Sequence, residues 1–231
     1  MSTLVLLARA SAFTLRHTWP VVAFAFLFVP VQFVVDNFME ALVPLLGQQV
    51  YLIALAGVPL FLFSSLLTTL YMAGLYLVIW SRLMETDFSY ALYRQALRPV
   101  FGRLFLFALI LNVVYMSGVL VPFLVFIPYV DIVLLFEKQG FKQSFRRNFA
   151  LLGLLPVPAI ACGIILVALV GWIPHYMMYA ELGKGFRYIY SYSMSILTVP
   201  LDVCFLVLFS TLSGGKVPQD FPDLTPEDQE L

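Results

Sequence analysis

Three polar side chains lie where an apolar chain tolerates them least: Asn112, Asp131 and Asp202, each well inside a long run without other charges. A carboxylate at the centre of a bilayer costs roughly 2.5–3.5 kcal/mol on insertion scales, so it normally faces a bundle interior or a water-filled path. Counted from the charged ends of their runs, the three are expected at comparable depth, and Pro200 near Asp202 can open the local backbone hydrogen bonding. No Lys, Arg or His falls in the central part of any run, so the aspartates lack a cationic partner. Such a set suits a proton-linked path for a small solute or ion. It equally suits hydrogen-bonding groups that tie helices together, or carboxyls lying near a membrane surface.

A second set displays its charge. Arg16, Arg94, Arg98, Lys142, Arg146 and Arg147 are interleaved with aromatic residues in short amphipathic stretches. Each cation beside an anionic leaflet is worth about 1 kcal/mol, which makes these six candidates for binding lipid headgroups or a partner. Topology and anchoring alone would also account for them. Other chemistry finds no residues to perform it. There is no Gly-rich phosphate loop with its Lys, no nucleophile elbow and no paired Cys motif, so no enzyme, cofactor or metal site is expected. Cys162 and Cys204 fall inside apolar runs, where a thiol acts as a small hydrophobe. His17 and His175 are expected on opposite sides of the membrane, which precludes a two-His metal site within one chain. Nucleic-acid binding has no support, because the formal net charge is zero.

The elements that must position these residues follow from hydropathy. Hydrophobic residues make up 62% of the chain and charged ones 11%, with a mean hydropathy of +0.96, against an apolar share of about 45–50% in soluble domains. Runs long enough to cross a bilayer occupy 19–35, 50–81, 104–136, 149–173 and 188–212. The 33 residues of 104–136 would make about 50 Å of helix, long for one span and short for two. Charge decides between them. Arg82, Arg94, Arg98 and Arg103 precede this run and Lys138, Lys142, Arg146 and Arg147 follow it, so one crossing would place a basic cluster outside. A hairpin of two short helices turning near 118–122 keeps both clusters in the cytoplasm and gives six spans.

With six spans, eleven of the thirteen Lys and Arg residues are cytoplasmic, only Lys184 and Arg187 face out, and both termini are inside. Trp19, Trp80 and Trp172 then fall at span ends, where an indole keeps its ring apolar and its N–H wet. The expected organisation is a cytoplasmic amphipathic segment at 1–18, a six-span domain at 19–212 and an acidic tail at 213–231. The tail has too few apolar residues to fold alone and reads as disordered or as a docking peptide. The run at 4–8 is too short for a signal-peptide core, so no cleaved leader is expected. Gly57 and Pro59 interrupt the second run, which either starts its span near Pro59 with an outer helical extension before it or forms one long helix kinked there. The outer stretch 174–187 reads as a solvated connection.

Three segments, at 15–19, 97–101 and 145–149, share a pattern of apolar residue, Arg, two residues and a large aromatic, and suggest three repeated units of surface helix and membrane hairpin. In the second, Phe88, Leu92, Leu97 and Phe101 can share an apolar face while Arg94 and Arg98 stay polar. In the third, Phe141, Phe145 and Phe149 recur every four residues beside the basic ones.

Pro122, Glu137, Gly140, Ser144, Arg146, Asn148 and Leu151 together resemble the corresponding region of a bacterial six-helix family. That family includes the membrane domain attached to some glycerophosphodiester phosphodiesterases and its stand-alone inner-membrane relatives. The resemblance implies an all-α, six-span protein of the bacterial inner membrane, and no hydrolase activity, since that chemistry belongs to a separate soluble domain. The stretch 128–131 is also similar to six-helix sulfate permeases, which implies transport. The role expected first is an envelope scaffold or accessory subunit that docks membrane lipids, a partner membrane protein or a second copy of itself; the alternative is a transporter or channel using Asn112, Asp131 and Asp202.

Overall fold

The computed structural model describes residues 3–17, 50–117, 126–153, 199–200 and 202–210 and the single positions 165 and 189; their regular structure is helical. In chain order the helices are α1 (Thr3–Arg16), α2 (Val50–Leu83), α3 (Tyr90–Leu97), α4 (Phe101–Ser117), α5 (Val130–Phe136) and α6 (Phe141–Leu152). A further helical stretch covers 202–210. The described residues are therefore all-α. The expected spans at 19–35 and 149–173, the hairpin turn near 118–122, the outer stretch with Lys184 and Arg187, and the acidic tail lie almost wholly outside the described residues.

Helix α2 is continuous from Val50 through Pro59 to Leu83. Its segment Gly57–Leu83, with a mean hydropathy of 1.8, is long and apolar enough to cross a membrane. Those 27 residues reach about 40 Å, more than the roughly 30 Å of hydrocarbon they would cross. The two halves of α2 differ. Leu55, Val58, Leu62 and Phe63 are exposed, whereas every residue from Ala73 to Ile79 is buried. The first half presents apolar side chains outward, and the second is enclosed by protein.

Helix α4 runs antiparallel to α2. Asn112 meets Ser65 at one end of the pair. At the other, Arg103 donates to the carbonyl of Lys138 at 2.9 Å, and Phe136, just before it, lies against Trp80 with ring centroids 4.9 Å apart. The same contacts place both ends of 104–136 together. A single straight helix would hold them about 50 Å apart.

The return limb is not one helix. A short helical turn at Phe126 gives way to a bend at Pro128 and Tyr129, and α5 that follows has only seven residues, about 10 Å. Proline supplies no N–H, and the helix restarts beyond it. The fourth expected span is thus broken in its described part. Residues 130–135 of α5 are all buried, packed between α2, α4 and α6.

The second and third repeat-like segments also differ. At 97–101 the chain turns through 80° from α3 into α4, because Pro99 stops the first helix. At 145–149, with no proline, α6 continues to Leu152.

Candidate functional site: a buried carboxyl cluster beside a basic crossing helix

Asp131 occupies the first turn of α5. Its Oδ2 accepts a hydrogen bond from the Tyr76 hydroxyl at 2.7 Å, and its Oδ1 accepts the Ile132 N–H at 2.9 Å. Val130 and Ile132 on either side are fully buried, so packed side chains enclose the carboxyl. Asp202, among the helical residues 202–210, is close enough for the charge of Asp131 to act on it, and its own charge acts on Tyr71 of α2. Two carboxyls from separate parts of the chain thus share one region with two tyrosines one and a half turns apart on α2.

Asn112 is not part of that cluster. Its Nδ2 donates to Ser65 Oγ at 2.8 Å, and Ser65 Oγ donates in turn to the Phe61 carbonyl at 2.9 Å. Ser65 and Tyr76 are eleven residues apart on one helix, about 16 Å along its axis. Of the three residues expected at comparable depth, Asn112 is thus not brought together with Asp131. Eleven residues back from Asn112 along antiparallel α4 is Phe101, the first residue of that helix. Tyr76 and its aspartate consequently stand level with the start of α4, where α3 crosses, and not at the middle of the α2–α4 pair.

Asn148 of α6 holds the bend that leads into α5. Its Oδ1 accepts the Tyr129 N–H at 2.9 Å and its Nδ2 donates to the Phe126 carbonyl at 2.8 Å, replacing the backbone bonds that the bend interrupts. The inward face of α6 is accordingly Ser144, Asn148 and Leu151, spaced at four and three residues. Of the expected phenylalanine stripe, Phe141 and Phe145 pack edge-on against Phe107, while Phe149 is 56% exposed. The Tyr129 hydroxyl is buried and has no hydrogen-bond partner among the described residues; its ring meets Phe205 edge-on at 5.5 Å.

The turn after α5 is clasped from two sides. Glu137 pairs with Arg147 at 3.1 Å and accepts from Gln139 Nε2 at 2.6 Å. Arg103 donates to the carbonyls of Lys138, Gln139 and Pro99. Arg147 is thus engaged inside the protein, unlike Lys142 and Arg146 on the same helix, which are exposed. Arg16, at the end of α1, is exposed as well.

Helix α3 begins at Ser89, whose side chain accepts the Leu92 N–H at 3.2 Å, and lies against α2 and α5. Leu97 is buried beneath it and Phe88 and Phe101 are half-buried, as the sequence pattern predicts. Leu92 departs from that pattern and is exposed; Tyr93 takes the inward place, its hydroxyl donating to the Leu70 carbonyl at 3.1 Å. Burial, with Tyr90 nearby, pushes the Tyr93 hydroxyl up to about 12. On the outer side Tyr90, Ala91, Arg94, Gln95, Arg98 and Pro99 line an open groove of about 660 Å³.

Tyr76 and Tyr93 were not among the sequence candidates, and Asn148 entered only through the family resemblance, with no role assigned to it. An aspartate in an apolar run needs a donor, and a tyrosine in another run was the available signal for Tyr76. Among the described residues no group of three or more His, Cys, Asp or Glu side chains could hold a metal ion. Cys162 and His175 lie outside those residues; Cys204 is buried, and the His17 ring lies against Phe13 at 4.5 Å, tilted by 42°. No family model, curated protein or solved structure matches this chain.

Proposed function

We propose that this chain is a multi-pass protein of the bacterial inner membrane, with both termini cytoplasmic, that has no catalytic centre and serves as an envelope scaffold or accessory subunit. It docks anionic lipid or a partner membrane protein along its basic side. The observation that carries this reading is α3: an amphipathic helix set at 80° to the start of α4, apolar side chains inward and Arg94 and Arg98 outward. A helix in that attitude lies in the plane of the headgroups if α4 crosses the bilayer. The return of 104–136 to its starting level supports a cytoplasmic place for both central basic clusters. The resemblance to a six-helix family whose hydrolytic chemistry sits in another domain points the same way.

A second reading, proton-linked transport of a small solute or ion, is favoured by one observation, the proximity of Asp131 and Asp202. The enclosure of Asp131 and the separate engagement of Asn112 favour structural roles instead. Reconstitution separates the two. The docking reading expects co-purified anionic lipid or a cross-linked membrane partner, with no flux across a broad solute panel. Flux that Asp131→Asn or Asp202→Asn abolishes, in variants that insert and fold, would give transport the stronger claim.

A further inference from the structure

The six cations proposed for docking are not equivalent. Arg147 is paired with Glu137, and Arg103, outside the six, is committed to three carbonyls. Arg94 and Arg98 have no side-chain partner among the described residues, both are exposed, and both line the groove on α3, which has no acidic residue among its described lining residues. At i and i+4 they rise from Cβ atoms about 5–6 Å apart on one side of the helix. Two like charges so placed repel each other until an anion lies between or across them.

We propose that this groove binds a diphosphatidyl lipid headgroup, two phosphodiesters joined by one glycerol, with one phosphate on Arg94 and the other on Arg98. The proposal rests on the docking reading and specifies its ligand. Each guanidinium can take a phosphate bidentately, so a headgroup with two linked phosphates uses both forks at the entropic cost of ordering one molecule. Gln95 and Tyr90 add neutral donors at the rim, and Ala91 leaves room between the arginines. The groove's volume falls within the range of about 300–1,000 Å³ typical of small-molecule sites. Its level also fits, because α3 crosses where α4 begins, and exposed Leu92 and Tyr90 offer apolar contact to the acyl chains beside the headgroup.

The test compares the full chain in three kinds of lipid nanodisc: zwitterionic phosphatidylcholine alone, phosphatidylcholine with phosphatidylglycerol, and phosphatidylcholine with a diphosphatidyl lipid at matched total charge. Lipid retained on release from the disc is counted by native mass spectrometry. The wild-type protein is expected to retain the diphosphatidyl lipid at least tenfold over phosphatidylglycerol. Arg94→Gln or Arg98→Gln should each cost about fivefold and the double variant about twenty-five-fold, at roughly one basic-residue increment apiece. Arg82→Gln, an exposed cation outside the groove, should leave retention unchanged. Melting in phosphatidylcholine discs verifies that all variants fold, which their exposed positions favour. Equal retention of the two anionic lipids, or a preference that survives in the double variant, overturns the diphosphatidyl site while leaving general docking intact. Retention of neither anionic lipid over phosphatidylcholine overturns this proposal and the lipid-docking reading together.

Discussion

In its first half α2 meets a neighbour through Ser65 and Asn112, and in its second through Tyr76 and Asp131. Both are polar ties between apolar helices, formed at almost the same distance, 2.8 and 2.7 Å. Their surroundings differ. The amide and hydroxyl are neutral and sit near exposed apolar side chains, and Ser65 has a second bond within its own helix. The carboxyl is walled in by α5, on a helix of seven residues that starts from a bend another helix must hold. The first tie adds to a helix pair that long apolar faces already hold together; the second is a requirement of the short element that carries it.

Loss of Asn148 should break the comparison most severely. Asn148→Leu strands the buried Tyr129 N–H, worth about 1–3 kcal/mol, and removes the part-buried bond to the Phe126 carbonyl, worth about 0.5–1.5 kcal/mol, so a destabilisation of about 1.5–4.5 kcal/mol is expected in denaturant unfolding of the detergent-solubilised protein. Asn148→Asp, which keeps the acceptor alone, should fall between that variant and wild type. Tyr76→Phe leaves Asp131 Oδ2 without its donor and should cost about 1–3 kcal/mol by the same assay. Asn112→Ala should cost less, about 0.6 kcal/mol and no more than about 1.7, the range found for hydrogen bonds between membrane helices. If Asn112→Ala proves as damaging as Tyr76→Phe, the contrast between the two halves of α2 is wrong.

The smallest effect is expected at Tyr93, which packs α3 onto α2. Its hydroxyl is pushed from 10.0 up to about 12 in the folded protein, so the folded form keeps a proton that the unfolded chain gives up first. The resulting stability is fully present below pH 10 and is lost as pH rises through about 12. Melting curves at pH 9, 10.5 and 11.5 should decline less for Tyr93→Phe than for wild type. The half-exposed ring keeps this difference small.

The parts of the fold that were legible in the sequence are those governed by local pattern. The pattern at 97–101 marked the change from surface helix to α4, and the alternation of aromatic and basic residues gave the outward place of Arg94 and Arg98. Charge on both flanks of 104–136 implied that its ends return to one level, and Arg103 meets Lys138 there. Phase was harder. A helix of eight residues can rotate by one position with little change in pattern, and Tyr93 displaces Leu92 because its hydroxyl reaches a main-chain carbonyl that no side-chain pattern encodes. The role of Asn148, a residue noted only for the family resemblance, stayed hidden for the same reason, since its partners are backbone groups 19 and 22 residues away. Asn112 is not brought together with Asp131 because the return limb of 104–136 bends at Pro128 and begins α5 near the level where α4 starts, which counting residues from run ends does not foresee.

The clasp around the turn after α5 is written in main chain on one side and in side chains on the other. Arg103 reads only carbonyl oxygens, which every residue carries, so the exposed side chain of Lys138 is left at liberty to drift. What constrains position 138 is its left-handed backbone, φ 55°, which glycine, asparagine and aspartate accept readily. A divergent copy of this chain would therefore be expected to keep the arginine and vary the lysine among those three, and a fluorophore attached at 138 would sit on a fixed backbone without touching the residue that fixes it.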